Sequence, residues 1–442
     1  MKVAVKHENI ESLTDSSLEC DQKTAFVLTS QNKSYLNDVK AKNSVKILTP
    51  YECFSILGID KNIKIVGITG TNGKTTTAAA IYSMLLDLGQ KCALQGTRGF
   101  FVNEKQIKPH SLTTPSILET LSNLALASKE KCNYFIMEVS SHAIAQDRIE
   151  SLDFALKIFT NLSQDHLDFH KSMEEYKNVK SRFFSDESLK LINSDEEKIN
   201  YNRKNSYRYG VENKGEFLVK AYSLKDGISA VFSLLDSEYL ISSALHGDFN
   251  LYNLLAAASA VKLLANPSVS KLEKAISNFG GVSGRVEVVS KNPLVIVDFA
   301  HTPDGMKKVL NSLKHSELIV LFGAGGDRDK TKRPLMGSVA SRYAKRVILT
   351  SDNPRSEDPE KIIEDILQGV TKSLDKVIKD RKEAIIYALN SLQEGEVLLI
   401  LGKGDEEYQE IKGEKYPFSD RKIVKEWLKE IKDKKYGKID TK

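Results

Sequence analysis

The chain has 442 residues, 41% of them hydrophobic and 28% charged, with a formal net charge of +5. These proportions exclude a disordered chain, a collagen-like fibre and a small disulfide scaffold, and the length predicts about three domains. The mild basic excess suits small anionic substrates and falls short of a nucleic-acid or membrane footprint.

The opening residues, MKVAVKHENIESL, hold no apolar core of signal-peptide length. No run approaches the ~20 apolar residues of a membrane span, so the expectation is a cytoplasmic protein without one. Cys20, Cys53, Cys92 and Cys132 form no C-x-x-C pair and no zinc-spaced cluster, which predicts four reduced thiols. No internal repeat is present.

The first strong strand is Ile63 to Ile68, followed by a helix from Thr75 to Leu88. Further apolar runs lie at Tyr134 to Val139, Leu156 to Thr160, Leu294 to Val297, Leu318 to Phe322, Arg346 to Thr350 and Val397 to Leu401. They are rich in Val, Ile, Leu or Phe without clear alternation, as strands buried on both faces of a parallel sheet are. Helical stretches such as Pro359 to Ser373 lie between many of them, which predicts an α/β architecture. The polar stretch Asp195 to Asn213 reads as surface loops or edge strands, and Trp427 and Leu428 as anchors of a Lys-rich terminal helix. Breaks near 58–62 and near 282–292, the latter marked by Gly280, Gly281, Gly284 and Pro293, divide the chain into 1–60, 61–284 and 285–442.

Chemistry is expected just beyond the carboxyl ends of such strands. After the first one stands Gly70-Thr71-Asn72-Gly73-Lys74-Thr75-Thr76, opening a helix. The two glycines let backbone N–H groups turn toward phosphate oxygens, and the helix N-terminus adds positive potential. Lys74 can reach the β- and γ-phosphates, and the Thr75 hydroxyl is placed for Mg²⁺. The pattern G-x-x-x-x-G-K-T is not strictly met, since Ile68 stands where its first glycine belongs. The reading is a compressed loop for a nucleoside triphosphate.

That loop resembles the ATP loop of the Mur ligase family. The resemblance continues through Met137-Glu138-Val139-Ser140-Ser141-His142, Asn161-Leu162-Ser163-Gln164-Asp165-His166 and Gly247-Asp248-Phe249-Asn250. It goes on in Gly284-Arg285-Val286-Glu287, Asp298-Phe299-Ala300-His301, Gly326-Asp327-Arg328, Asp352-Asn353-Pro354-Arg355 and Gly402-Lys403-Gly404-Asp405-Glu406. The motifs run in family order and cover nearly everything from residue 63 onward.

The resemblance implies three α/β domains. They are a short N-terminal UDP-sugar domain (1–60), a central P-loop ATP-binding domain with a mostly parallel sheet (61–284) and a Rossmann-like C-terminal domain for the amino acid (285–442). It implies an ATP-dependent acid–amino-acid ligase that uses Mg²⁺ and serves peptidoglycan synthesis. The ligase would add meso-diaminopimelate to the D-glutamate of UDP-MurNAc-L-Ala-D-Glu through an acyl phosphate, working as a monomer. Gly70, Thr71, Asn72, Gly73, Lys74, Thr75, Thr76, Asn253, Arg285 and Asp298 would contact ATP. Lys74, Glu138, His166 and Lys180 would be catalytic. Thr75, Glu138, His166 and a carbamylated Lys180 would hold metal. Thr113, Thr114, Ser140, Gln146, Arg148 and Lys180 would meet the UDP-MurNAc-dipeptide. Arg328, Asp352, Asn353, Pro354, Arg355, Gly402 and Glu406 would meet meso-diaminopimelate.

Structural alternatives stand beside these roles: Glu138 as a cap of the segment after it, and Thr113 or Thr114 as helix caps before Pro115. The same chemistry on L-lysine or a folate acceptor is the alternative function. Asp352-Asn353-Pro354-Arg355 argues against lysine, because a guanidinium suits the second carboxylate that lysine lacks. A non-catalytic nucleotide-binding regulator and a simple kinase are further alternatives. Two departures from the family are visible: Asp405 replaces the usual His, and only about 60 residues precede the ATP domain, where Ser30, Asn32 and Lys33 are polar candidates for the nucleotide end.

Overall fold

The computed structural model describes residues 1–436 apart from 43, 110, 111, 197, 226 and 315. The described residues form two compact units: 1–162, 172–244 and 250–279 make the first, and 163–171, 245–249 and 280–442 the second.

The first unit holds two sheets. The small one has strand order Lys2–His7, Ile10–Thr14, Thr24–Val27, Ile47–Leu48. Ile10, Leu13, Val27 and Leu48 belong to the same buried apolar cluster as Ile65, Leu121 and Phe135, so this sheet shares a core with the larger one. The larger sheet has eleven strands. At its centre Lys64–Thr69 runs parallel between Tyr134–Glu138 and Phe154–Phe159. All three are almost wholly buried, which explains the unbroken apolar runs. Residues 195–213 depart from expectation. Ser206–Gly210 is an interior strand, parallel to Lys190–Asn193 on one side and Phe217–Ser223 on the other. Asp195 fixes the turn that follows, accepting from Val211 N at 2.7 Å and Asn213 N at 2.7 Å, and its polar character belongs to that task.

The second unit is built on a six-stranded sheet of order Glu287–Lys291, Leu294–Asp298, Glu396–Leu401, Glu317–Phe322, Arg346–Leu349, Leu374–Val377. Alternate residues of its parallel strands face opposite ways. Ile296, Val320, Leu349 and Leu399 pack with helices Pro303–Ser312, Lys332–Tyr343 and Pro359–Leu367. Val297, Leu321, Ile348 and Ile400 pack with Arg381–Ser391 and the terminal helix Asp420–Tyr436, where Trp427 and Leu428 anchor as expected. Helices on both faces make the unit a doubly wound sheet. The helix Pro359–Leu367 ends well before the predicted Ser373. A Cβ on Gly369 would lie 1.7 Å from Pro334 O, so the chain turns away there against the neighbouring helix. Leu374–Val377 then becomes the sheet's edge strand.

Candidate functional site

The phosphate loop leaves the sheet flanked by the ends of two neighbouring strands. Register places Ile68 opposite Glu138 and Thr69 opposite Phe159. Glycine is required at both turns: Gly73 has φ +85°, and a Cβ there would lie 2.5 Å from Asn253 Oδ1; on Gly70 it would lie 1.9 Å from Thr160 Oγ1. Two residues that the motif reading gave no role tie the loop down. Thr160 Oγ1 donates to Asn72 O at 2.7 Å and Asn161 Nδ2 to the same carbonyl at 3.0 Å. In return Asn72 N donates to Asn161 Oδ1 at 2.9 Å, and Thr71 N to Asn161 O at 2.9 Å. Helix Lys74–Asp87 starts at once, with Thr76 buried in its first turn. Lys74 Nζ folds back over the loop, donating to Gly70 O at 2.8 Å and Thr71 O at 2.9 Å. The result is a backbone concavity with a fixed cation above it, chemically suited to a polyphosphate.

Glu138 is buried at the end of the adjacent strand. Its Oε2 accepts from Thr75 Oγ1 at 2.9 Å and Thr97 Oγ1 at 3.3 Å, and its Oε1 from Thr97 N at 2.9 Å. A hydroxyl and a carboxylate side by side are hard oxygen donors of the kind Mg²⁺ takes. Among the described residues no cluster of three or more His, Cys, Asp or Glu could hold a metal. Mg²⁺ commonly keeps waters and phosphate oxygens among its ligands beside one or two carboxylates. Thr97 was not anticipated from the sequence.

The helix after Glu138 is capped by Ser140, whose Oγ accepts from Ala143 N at 3.1 Å, so Glu138 is not the cap. Thr113 and Thr114 are not caps either, because Ser116 caps Ile117–Lys129. Thr114 Oγ1 instead donates to Glu138 O at 2.9 Å and accepts from Ser140 N at 2.9 Å, while Thr113 Oγ1 stands 3.0 Å from Thr97 Oγ1. Arg148 Nη1 donates to Thr114 O at 3.0 Å. Gln146 Oε1 accepts from Gln31 Nε2 at 3.1 Å, which brings the N-terminal sheet to this cluster. Asn32 is consumed by its own loop, donating to Val27 O at 2.9 Å and Asp15 O at 3.1 Å. Thr114, Ser140 and Arg148 are thus joined to one another beside Glu138, Thr113 reaches Glu138 through Thr97, and Gln146 bonds to Gln31 instead.

Lys180 lies on helix Met173–Arg182 and is buried, its Nζ donating to Thr69 Oγ1 at 3.4 Å and sitting 4.8 Å from the Tyr176 ring centre. The Tyr176 hydroxyl is 3.1 Å from Thr71 Oγ1, so this helix braces the base of the loop. Asn253, on helix Asp248–Ala265, accepts from Thr77 Oγ1 at 3.3 Å and donates to Asn250 Oδ1 at 3.1 Å. In this arrangement it supports the loop.

In the second unit, the Arg285 guanidinium lies 4.4 Å from the centre of the Phe299 ring. Asp298 is buried at a strand end, accepting from Val286 N at 2.8 Å and Ala300 N at 2.7 Å. Burial raises its carboxyl above the ordinary range against the pull of Arg285 and these amides. Val286 is β-branched yet has φ +45°, a strained conformation held by that carboxylate. His166 also has positive φ, +54°, and its Nε2 is 3.4 Å from Asp165 Oδ2.

The remaining predicted residues of this unit converge where strand order reverses. Strand Glu396–Leu401 separates Leu294–Asp298 from Glu317–Phe322, and the loops after three adjacent strands supply the side chains. Asp352 Oδ1 accepts from Asn353 N at 2.7 Å, and Gly402, at φ +112°, passes so close that a Cβ would be 2.4 Å from Asp352 Oδ2. Asn353 Nδ2 donates to Glu406 Oε2 at 2.9 Å. Pro354 abuts Gly326, where a Cβ would lie 2.0 Å from the proline carbonyl. Arg355 Nη1 donates to Gly326 O at 2.7 Å, and its Nε is 3.3 Å from Glu410 Oε2. Arg328 is exposed, with Nη1 3.3 Å from Asp327 O. Its loop is pinned by Glu357, which accepts from Asp327 N at 2.6 Å and pairs with buried Arg333 at 2.8 Å. The Arg333 bonds hold the Glu357 carboxyl at about 2.

Several supports of this pocket carried no local signal. Arg381 is fully buried, pairs with Asp420 through Nε and Nη2 at 2.8 Å each, and donates to Leu401 O at 2.9 Å. Gln409 Nε2 donates to Asp352 O at 2.6 Å, and Lys403 is wholly buried behind Glu406.

Residues 68–261 match the family described as Mur ligase middle domain, and residues 284–404 the one described as Mur ligase, glutamate ligase domain. The chain is 52% identical to the UDP-N-acetylmuramoyl-L-alanyl-D-glutamate–2,6-diaminopimelate ligase of Wolinella succinogenes, across 98% of this chain and 99% of that one. It is 37% identical to the ligase of the same name from Clostridium botulinum, across 91% and 86%. The coverage of the Wolinella relative shows that the short stretch before the phosphate loop is not peculiar to this chain. A solved structure of a ligase with that name is 28% identical with a TM-score of 0.67, across 96% of this chain and 98% of that one. Folylpolyglutamate synthase of Mycobacterium tuberculosis, complexed with ADP and AMPPCP, is 15% identical with a TM-score of 0.65, across 80% and 91%, a likeness of fold alone.

Proposed function

The chain belongs to the Mur ligase family, and from that premise we propose that it joins meso-diaminopimelate to the D-glutamate of UDP-MurNAc-L-Ala-D-Glu at the expense of ATP. The observation that carries the reading is the near full-length likeness to ligases bearing that name. The products are the UDP-MurNAc-tripeptide, ADP and phosphate. The setting is cytoplasmic peptidoglycan synthesis, with the enzyme as a monomer.

In this reading the loop amides of 70–73 and the Lys74 ammonium hold the polyphosphate of ATP and offset charge that builds up as the γ-phosphoryl group moves. The acceptor is the side-chain carboxylate of D-glutamate, whose oxygen takes the phosphoryl group to give an acyl phosphate. Thr75 and Glu138 would hold Mg²⁺, which when bound adds further positive charge beside those phosphates. Lys180, its ammonium converted by carbon dioxide to a carbamate with loss of two protons, and His166 would serve a second ion. Carbamylation turns a buried cation into an anionic oxygen donor, and its position against the loop base supports the assignment. Thr113, Thr114, Ser140, Gln146 and Arg148 orient the acceptor. Asn253, Arg285 and Asp298 complete the nucleotide's surroundings.

The amine of meso-diaminopimelate attacks the acyl carbon. The tetrahedral intermediate expels phosphate, the amine loses a proton, and the amide remains. No enzyme nucleophile is needed; positioning supplies the rate. Arg355 and Arg328 suit the substrate's carboxylates, while Glu406 and the Gly402 carbonyl suit its distal ammonium, with Asp352, Asn353 and Pro354 shaping the turn that carries Arg355. L-lysine lacks the second carboxylate and would forgo that charge-assisted contact with the guanidinium.

Phosphate release from ATP, Mg²⁺ and UDP-MurNAc-L-Ala-D-Glu, compared for meso-diaminopimelate, L-lysine and no amino acid, tests the reading. Release only with meso-diaminopimelate, and a product heavier by one such residue, is the expected result. Release with lysine alone would overturn the specificity, and a stable phosphorylated product would point to a kinase.

A further inference from the structure

Among the buried cations of the second unit, Lys403 stands directly against a side chain proposed to meet the substrate. Lys403 has a side-chain exposure of 0%, and a buried charge must be paired. Its Nζ stands 2.8 Å from Glu406 Oε2 and donates to Asn353 Oδ1 at 2.9 Å. Asn353 Nδ2 donates to the same Oε2 at 2.9 Å, closing a triangle. The Asn353 amide cannot turn, because its oxygen also accepts from Glu410 N at 2.9 Å. The backbone enforces the fold of this corner: Gly402 and Gly404 have φ +112° and +55°, and Glu406 N donates to Lys403 O at 3.0 Å. The Glu406 carboxylate is therefore held twice by one oxygen, and Oε1 has no hydrogen bond among the described residues. A carboxylate accepts at both oxygens.

We infer that Lys403 is a positioning residue for amino-acid selection: by pinning Oε2 it presents Glu406 Oε1 to a single distal ammonium of the substrate. The inference rests on the pocket reading given above. Lys403 touches no substrate itself. It sets which oxygen of Glu406 is offered, and its charge keeps a second cation from entering the same corner.

The test uses the full-length enzyme with ATP, Mg²⁺ and the UDP-MurNAc-dipeptide. It compares meso-diaminopimelate with (2S)-2-aminopimelate, which keeps the distal carboxylate and lacks the distal amine. Only the first substrate can use Glu406. Lys403→Met should lower the ratio of the two kcat/KM values about 10-fold or more, with the KM for ATP unchanged. Lys403→Arg keeps the charge, but its longer planar head displaces Glu406, so the ratio should fall there too. If thermal unfolding shows that the methionine variant does not fold, the arginine variant decides alone. A loss shared equally by both substrates, or an unchanged ratio in either folded variant, overturns the inference. Failure of the wild-type enzyme to use meso-diaminopimelate would overturn the pocket reading together with it, whereas wild-type turnover with unchanged variant ratios would overturn this inference alone.

Discussion

The phosphate loop and the proposed amino-acid pocket both sit at the carboxyl ends of parallel strands, yet they are made of different material. The loop is backbone: two glycines, four consecutive residues, and small hydroxyl and amide side chains beneath it. The pocket is side chain: two arginines, a glutamate and an asparagine drawn from three loops and locked by ion pairs behind them. A polyphosphate offers many equivalent oxygens, so a cradle of amides serves it. A chosen amino acid must be told from its neighbours, and that requires charges at fixed places.

The contrast can be broken most sharply at the loop. Lys74→Met removes the ammonium folded over it and should slow phosphate release about 10³-fold with every amino acid offered. An effect confined to one amino acid would erase the distinction between the two sites. At the pocket the expected pattern is the reverse. Arg355→Ala should cut kcat/KM for meso-diaminopimelate about 100-fold and leave the KM for ATP where it was; steady-state kinetics in both substrates decides. Thr97→Val removes a hydroxyl donor to Glu138 and should raise the Mg²⁺ concentration needed for half-maximal rate about 10-fold, read from a magnesium titration.

A smaller effect concerns the support of the Arg328 loop. Arg333 holds the Glu357 carboxyl at about 2, below its ordinary 4.5. The stability it contributes is fully present above about pH 4.5 and is lost as the pH falls toward 2. Urea midpoints of wild type and Glu357→Gln should therefore lie apart at neutral pH and converge as acid is added. A gap that widens in acid would contradict the sign. Smallest is the response of the thiols. Burial pushes Cys53 up to about 12 and Cys132 to about 11, so the native enzyme should resist alkylation at pH 8 and react fully only when unfolded, as mass spectrometry would report.

The two sites also differed in how far the sequence disclosed them. The loop is contiguous, and its glycines, lysine and threonine can be read from spacing alone. So could the buried strands, because parallel strands covered on both faces leave unbroken apolar runs; the observed Lys64–Thr69 and Arg346–Leu349 lie within one residue of expectation. Strands of the other kind were passed over. Phe217–Ser223, Ile228–Leu234 and Ser237–Ser243 form antiparallel hairpins; the last two alternate between buried and more exposed residues and the first ends in four exposed ones, so no apolar run marks them. The pocket's supports were hidden for a different reason. Lys403 meets Asn353 across 50 positions, and Arg381 meets Asp420 across 39, and no local pattern encodes such a meeting. The resemblance supplied the residues proposed to face the substrate; it took coordinates to find the ones that hold them.

The strand order of the second unit has a consequence for how the protein comes into being. Glu396–Leu401 is the last of the six strands in the chain, yet it separates Leu294–Asp298 from Glu317–Phe322. A nascent chain emerging from the ribosome must keep those two apolar strands apart for some eighty residues of synthesis, about ten seconds at ordinary rates, until the divider arrives. Until then each presents an open edge to any other strand it meets. The arrangement that creates the pocket is thus also the interval in which this half of the molecule is most exposed to mispairing, and a message truncated before residue 396 would yield a chain whose second sheet cannot close.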